Sequence, residues 1–387
     1  MIEGLISGIF NGISIGAVLL IVALGLAIVF GLMGVINLAH GELMMLGAYT
    51  TFVVQNGFKA IGGPVENLYI FAALPMAFLV AALVGLALEK GVIRYLYGRP
   101  LETLLATWGV SLILRQFVRS VNWAMVIGLV LFSLLFFGGR WLLEQRRALS
   151  PLVSGVTLVL SSAIAVVTGI LINQNGGTTL SRAWFSTRNV DVTAPVWLRG
   201  GLSLGGALQF PYARLFIIAL TILCLVGVYW FLQGSSWGLR MRSVTQNRTM
   251  SACLGIPTER VDALTFALGS GLAGVAGCAV TLLGSVGPNL GGNYIVDAFM
   301  VVVVGGVGKL VGSIVAAMVI GTVSYLIGSG TLAVLLSPID ALSPVVDFFT
   351  FFSTTSMAKV MVFALIIAFL QVKPAGIFPQ KGRTVEA

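Results

Sequence analysis

The sequence predicts an all-α fold, a polytopic bundle of transmembrane helices with about eleven crossings, some of them short or broken. Three observations carry this expectation. The chain is 58% hydrophobic and 9% charged, with a mean hydropathy of +1.04, and a soluble fold of that composition would lack the polar surface to cover its core. Apolar runs long enough to cross a bilayer alternate with short basic clusters. The 48 glycines suit close helix packing, because small residues let backbones approach where lipid offers no hydrophobic drive. A net charge of +9 fits basic inner loops, so nucleic acid need not be invoked. Cys224, Cys253 and Cys278 have no metal-ligand spacing, which argues against zinc and against a disulfide.

The first basic residue is Lys59, so the start of the chain lacks the basic region of a signal peptide, and Ile13–Met33 reads as a retained first span. Ahead of it, Gly4, Gly8, Gly12 and Gly16 form a stripe for tight contact with a helix of this chain or with another subunit. Gly31–Tyr49 then places Asn37, His40 (the only histidine) and Glu42 among apolar residues. A carboxylate at the bilayer centre costs about 2.5–3.5 kcal/mol on insertion scales, so such groups face a cavity or the bundle interior unless they mark the interface. One histidine without nearby cysteines cannot supply a zinc site.

Leu68–Leu88 spans back, with Pro75 expected to kink it, and Lys90, Arg94 and Arg99 mark the inner side. Leu101–Gln116, carrying Thr107 and Ser111, is short and reads as a broken helix lining a cavity. Two spans follow, Trp123–Gly138 and Leu152–Ile172, separated by Arg140, Arg146 and Arg147. Residues 173–209, with Asp191 and Pro195, form an outer loop too short for a domain.

Between Ala213–Leu232 and Val261–Gly284 lies a polar loop, Ser235–Pro257, and with Arg260 it carries Arg240, Arg242 and Arg248. Its charge places it inside. Thr245–Leu254 is expected to be one short helix stopped by Gly255, Ile256 and Pro257. Composition alone leaves it either an ordinary basic loop or a docking helix. Gly269, Gly271, Gly274 and Gly277 make a packing surface on the next span. Ser285–Asn293, including Asn289, turns the chain outside, and Tyr294–Gly306 re-enters with Asp297 near its start. That half-helix either offers free N–H groups to a polar solute or uses Asp297 in a cap or salt bridge.

Gly305–Leu310 is no nucleotide loop: Val303 stands where the first glycine belongs, and Leu310 lacks the metal-binding hydroxyl. Lys309 marks an inner turn, Leu310–Ile327 goes out, and Pro338 and Pro344 break the next apolar stretch. Lys359–Val372 is the last crossing, with Lys373, Lys381 and Arg383 inside, so the N-terminus is expected outside and the C-terminus in the cytoplasm. No ATP-binding motif, catalytic cluster or metal site is present, and the chain reads as a non-enzyme. A partner-driven permease, a stand-alone channel or secondary transporter, and a membrane enzyme using His40 and Glu42 remain; the lack of a second histidine argues against the last.

Five stretches carry a resemblance: Gly31–Thr51, Leu104–Leu114, Arg242–Arg248, Gly287–Gly291, and the basic loop with Val261–Gly277 behind it. Through them the chain resembles permeases of the branched-chain amino acid ABC importer family, over nearly its whole length apart from Asn122–Arg188. Within that family it is most similar to the urea-importing permeases, to the first of their two permease subunits. The resemblance implies one transmembrane permease domain over 1–387, with a cytoplasmic coupling loop at 234–260 and an inserted helix pair at 122–188. It implies an importer for urea, or alternatively for branched-chain or other amino acids, in the bacterial cytoplasmic (inner) membrane. Its partners would be a second, different permease, two ATP-binding subunits that hold ATP and Mg, an external solute-binding protein and membrane lipid, with no cofactor on this chain. Coupling would fall to Arg240, Arg242, Gln246, Asn247, Arg248, Ala252 and Gly255. The wider family pattern places Glu-Ala-Ala four residues before a glycine; Ser251 to Gly255 keeps the spacing, and Thr249 stands in place of the Glu. The solute pathway is expected at Asn37, His40, Glu42, Thr107, Asn289 and Asp297, polar groups that hydrocarbon does not solvate.

Overall fold

The computed structural model describes residues 2–140, 151–175, 183–185, 188–203, 209–337 and 343–378. Arg146, Arg147, Pro338, Lys381 and Arg383 lie outside the described residues. The chain divides into two compact units, Met1–Ser111 with Val190–Ala387, and Leu112–Asn189.

The larger unit begins with α1 (Ile2–Met33), α2 (His40–Ile61), α3 (Tyr69–Gly91) and the start of α4 (Pro100–Ser120). The smaller unit holds the rest of α4, α5 (Trp123–Ser133), which continues through a π-helical turn to Gly138, and α6 (Pro151–Asn175). Within it Trp184 donates its backbone N–H to the Val121 carbonyl at 2.9 Å and meets Trp123 edge-on.

The larger unit resumes at Val190 and holds a two-stranded antiparallel pairing, β1 (Gly201–Ser203) with β2 (Gln209–Pro211). Then come α7 (Tyr212–Gly234), α8 (Ser236–Gln246), α9 (Arg248–Cys253) and α10 (Thr258–Val280). The last set is α11 (Leu290–Gly305), α12 (Leu310–Gly328), α13 (Thr331–Leu336), α14 (Ser343–Phe351) and α15 (Thr355–Val372).

Helix α10 is the hub of the larger unit, packed against α1, α2 and α3. Its glycines make that possible. A Cβ on Gly269 would run into Gly25 and Val29 of α1, one on Gly274 into Ala77 of α3, and one on Gly277 into the Met44 carbonyl of α2. Three of the four N-terminal glycines do the same against α12, where Gly8 meets Leu326, Gly12 meets Thr322 and Gly16 meets Ala317; Gly4 faces open space. Of the two readings of that stripe, packing within this chain is the one seen.

Among the described residues six helices are long and apolar enough to cross a membrane, or seven if α14 and α15, which meet at 110°, make one bent span. The expected count was about eleven; among the described residues Trp123–Gly138 and Leu290–Gly305 are apolar helices shorter than a full span. The first helix starts at Ile2, well before Ile13. Leu101–Gln116 is unbroken: α4 runs 21 residues with Pro100 in its first turn, where the missing N–H costs nothing. Pro75 lies inside an uninterrupted α3. The re-entering segment starts at Leu290, four residues earlier than Tyr294.

Candidate functional site

The start of α2 gathers the first group of polar residues. Asn37 Oδ1 accepts from the Ala39 N–H at 3.0 Å, a local turn that aims the chain into the helix. The Leu38 N–H donates to Thr107 Oγ1 at 3.2 Å, tying this turn to α4. His40 is fully buried, with Nε2 3.1 Å from the Val22 carbonyl and its ring against Gly25, so it pins α2 to α1. Ser111 Oγ donates to Glu42 Oε1 at 3.1 Å, a second tie to α4. Asn37, His40, Glu42 and Thr107 are each at most 2% exposed. These four expected pathway residues thus meet as a buried cluster between α1, α2 and α4, in which Asn37 Nδ2 and His40 Nδ1 have no hydrogen-bond partner.

Asn289 and Asp297 lie elsewhere. Asn289 is exposed at the start of α11, and its carbonyl accepts from the Asn293 N–H. Asp297 Oδ2 sits 2.8 Å from Lys359 Nζ of α15, and that ammonium also donates to the Asn293 carbonyl at 2.9 Å and lies over the Tyr294 ring. Of the two readings of Asp297, the ion pair is observed. The pair borders a cavity of about 560 Å³ that Ile15, Leu19, Ser324 and Tyr325 help to line. Lys359 was missed as a partner. The signal available was an unpaired Asp297 in one apolar helix and a lone lysine at the head of another, since charges in such helices pair with one another.

The basic loop is two helices, not one. Ser235 Oγ accepts from the Gly238 N–H and starts α8. Asn247 then leaves helical geometry, and its Oδ1 accepts from the Met250 N–H at 2.9 Å to start α9. The helix expected over Thr245–Leu254 is therefore cut at Asn247, a residue that competes well for N-caps. Gly255 ends α9 at φ +80°, a conformation only glycine adopts without strain, while Ile256 N–H donates back to the Ser251 carbonyl. Gln246, Ala252 and Gly255 are exposed, and Met250 and Leu254 present apolar side chains to the outside at 60% and 76% exposure. Arg240 stacks on Trp237 and Arg242 donates to Gln233.

Arg248 points the other way, inward. Its guanidinium contacts Asp262 Oδ2 of α10 at 2.6 Å and lies over the Tyr97 ring. Tyr97 in turn donates to the buried Glu89 of α3 at 3.2 Å, and Arg94 sits between Glu89 at 3.7 Å and Glu259 at 3.1 Å. Burial, followed by the nearby Asp262 and Glu89 charges, pushes the Tyr97 phenol up, against the opposing effect of Arg248, so it stays a neutral donor. A chain of charged contacts thus joins α9 to the ends of α3 and α10. The sequence reading did not include Glu89, Tyr97 or Asp262.

Comparison with known proteins places this architecture. The profile of the family described as "branched-chain amino acid transport system / permease component" matches residues 8–370. The chain belongs to that family. Among curated members, the high-affinity branched-chain amino acid transport system permease protein LivH of Salmonella typhimurium is 25% identical over 370 residues, 95% of this chain and 93% of the relative. The corresponding permease protein BraD of Pseudomonas aeruginosa is 23% identical, covering 80% of this chain and 81% of its own. The probable branched-chain amino acid transport permease protein LivH of Methanocaldococcus jannaschii is 24% identical, covering 78% and 74%. No solved structure matches the chain. A family of transport permeases, with helices of membrane-spanning length, makes this chain a multi-pass transport protein rather than an enzyme.

Proposed function

We propose that the chain is the membrane subunit of an ATP-driven importer, working with a second permease, two ATP-binding subunits and an external binding protein in a bacterial cytoplasmic membrane. The observation that carries this is family membership over almost the whole length. In this reading α9 is the coupling helix: its outer face, with Met250, Ala252 and Leu254, seats in the ATPase, while Arg248 passes the motion inward through Asp262 and Tyr97. ATP and Mg stay on the partner. Residues 122–188 are an inserted helix pair.

The names of the relatives favour a branched-chain amino acid as solute, and that is the first reading. Urea is the second, favoured by the likeness of Gly31–Thr51, Leu104–Leu114, Arg242–Arg248 and Gly287–Gly291 to urea-importing permeases. At one-quarter identity the relatives' names leave room for both. The test is ATP-dependent uptake into vesicles carrying the assembled complex, with labelled leucine and labelled urea each competed by the other. Uptake of leucine that urea does not compete supports the first reading, and the converse supports the second. Uptake of either without ATP or the ATPase subunits sinks the importer.

Orientation has its own probe in Cys253, which is exposed on α9, while Cys224 is half-buried and Cys278 buried. An impermeant thiol reagent is expected to spare Cys253 in intact cells and label it in inverted vesicles. Labelling in intact cells would place the coupling helix on the wrong side.

A further inference from the structure

Asp297 and Lys359 form an ion pair beside a cavity, on helices where either charge is costly. Such a pair adds little to stability, since well-packed apolar residues in its place are often as good or better. Its surroundings are those of a small-molecule site rather than a sealed core. The cavity's 560 Å³ lies within the usual range for small ligands. Its polar side carries Asn293, Tyr294, Ser324 and Tyr325, and its apolar side Ile15 and Leu19. Lys359 is partly exposed, with its ammonium held by the Asn293 carbonyl and the Tyr294 ring as well as by Asp297. Asp297 meets it through Oδ2, which leaves Oδ1 to an incoming donor.

We propose that this cavity holds the solute during transport, with Asp297 accepting its N–H groups and Lys359 donating to its oxygen. The ligand class is a small molecule with N–H donors at one end and a carbonyl or carboxylate oxygen at the other. An α-amino acid presents ammonium and carboxylate, with Ile15 and Leu19 beside its side chain. Urea presents two amide NH₂ groups and one carbonyl. The solute threads between two charges that already face each other, so neither is left bare when the site is empty. This inference rests on the importer reading and adds to it the residues that hold the cargo.

The test uses the full complex in vesicles with its ATPase and binding-protein partners, and size-exclusion profiles confirm assembly of each variant. Asp297→Asn combined with Lys359→Gln removes both charges together and keeps hydrogen-bonding atoms, so no lone charge is left behind. If the cargo is an amino acid, leucine uptake is expected to fall at least tenfold. If it is urea, the amides still offer acceptor and donor, and the expected change is a three- to tenfold rise in KM. Ser324→Trp, which fills the cavity without touching the charges, is expected to stop uptake of either. A Ser324→Trp complex that assembles and transports at the wild-type rate overturns the site. So does an Asp297→Asn/Lys359→Gln complex with unchanged KM and rate for the cargo. A wild-type complex that moves neither solute with ATP fails the importer reading instead, before any variant is compared.

Discussion

The starts of α2 and α11 touch each other through Gly41 and Gly291, where a Cβ on either would collide with the other's backbone. Both lie near buried polar side chains, yet those side chains have different surroundings. At α2, Asn37 Oδ1 and His40 Nε2 contact backbone groups, Glu42 is tied to Ser111 of α4, and Asn37 Nδ2 and His40 Nδ1 are buried without a hydrogen-bond partner. Seven residues into α11, Asp297 shares a cavity with a lysine, two tyrosines and three serines. Polar groups buried in a membrane bundle are therefore not one class. The first set ties a helix to its neighbours, and the second borders a cavity.

The largest effect expected from breaking this arrangement is on the glycine contacts that hold both regions. Gly277→Val would drive a side chain into the Met44 carbonyl, a backbone atom that no rotamer change moves aside, so the cost lies beyond the ~1–3 kcal/mol typical of overpacking. No monodisperse complex should be recovered, as read by size-exclusion chromatography. Gly4→Val, which meets nothing within 4 Å, is the control and should leave the profile as it was.

A smaller loss is expected from Ser111→Ala, which takes a donor from the buried Glu42 carboxylate. Leaving such a group short of a hydrogen bond costs about 1–3 kcal/mol, so the thermal midpoint should drop while KM for the solute holds. A raised KM with an unchanged melt would move Glu42 back into the pathway.

The smallest stability change belongs to Arg248→Lys, which keeps a positive charge beside the buried Asp262 and loses the planar guanidinium over Tyr97. Its effect is expected in coupling: solute-stimulated ATP hydrolysis should fall several-fold while the complex still assembles. Full stimulation would mean that the contacts through Asp262 and Tyr97 are not the route by which α9 acts.

The helical membrane class was legible because it depends on composition and on run length, which neighbours do not change. So was the glycine face of α10, since close approach needs glycine whichever helix arrives. The polar residues of the candidate site were legible as a set but not in their grouping. Asn37, His40, Glu42 and Thr107 converge only because α4 returns alongside α2, a long-range contact that local pattern does not reveal. Asp297 and Lys359 lie 62 positions apart and are joined only in the folded chain. The α8–α9 break was readable in principle, because Asn247 followed three residues later by a free N–H is an N-cap pattern. It was missed because the absence of proline and glycine was taken as continuity.

Water access separates the two regions most directly. In a chain carrying Cys224→Ala, Cys253→Ser and Cys278→Ala, single cysteines placed by Asn293→Cys and Ser111→Cys are exposed to a small water-soluble thiol reagent, with and without the transported solute. The account predicts that the cysteine at 293, beside the cavity, reacts and is protected by solute, and that the one at 111, in the buried cluster, does not react. Rapid, solute-protected labelling at 111 with none at 293 would contradict it and put the pathway through the start of α2.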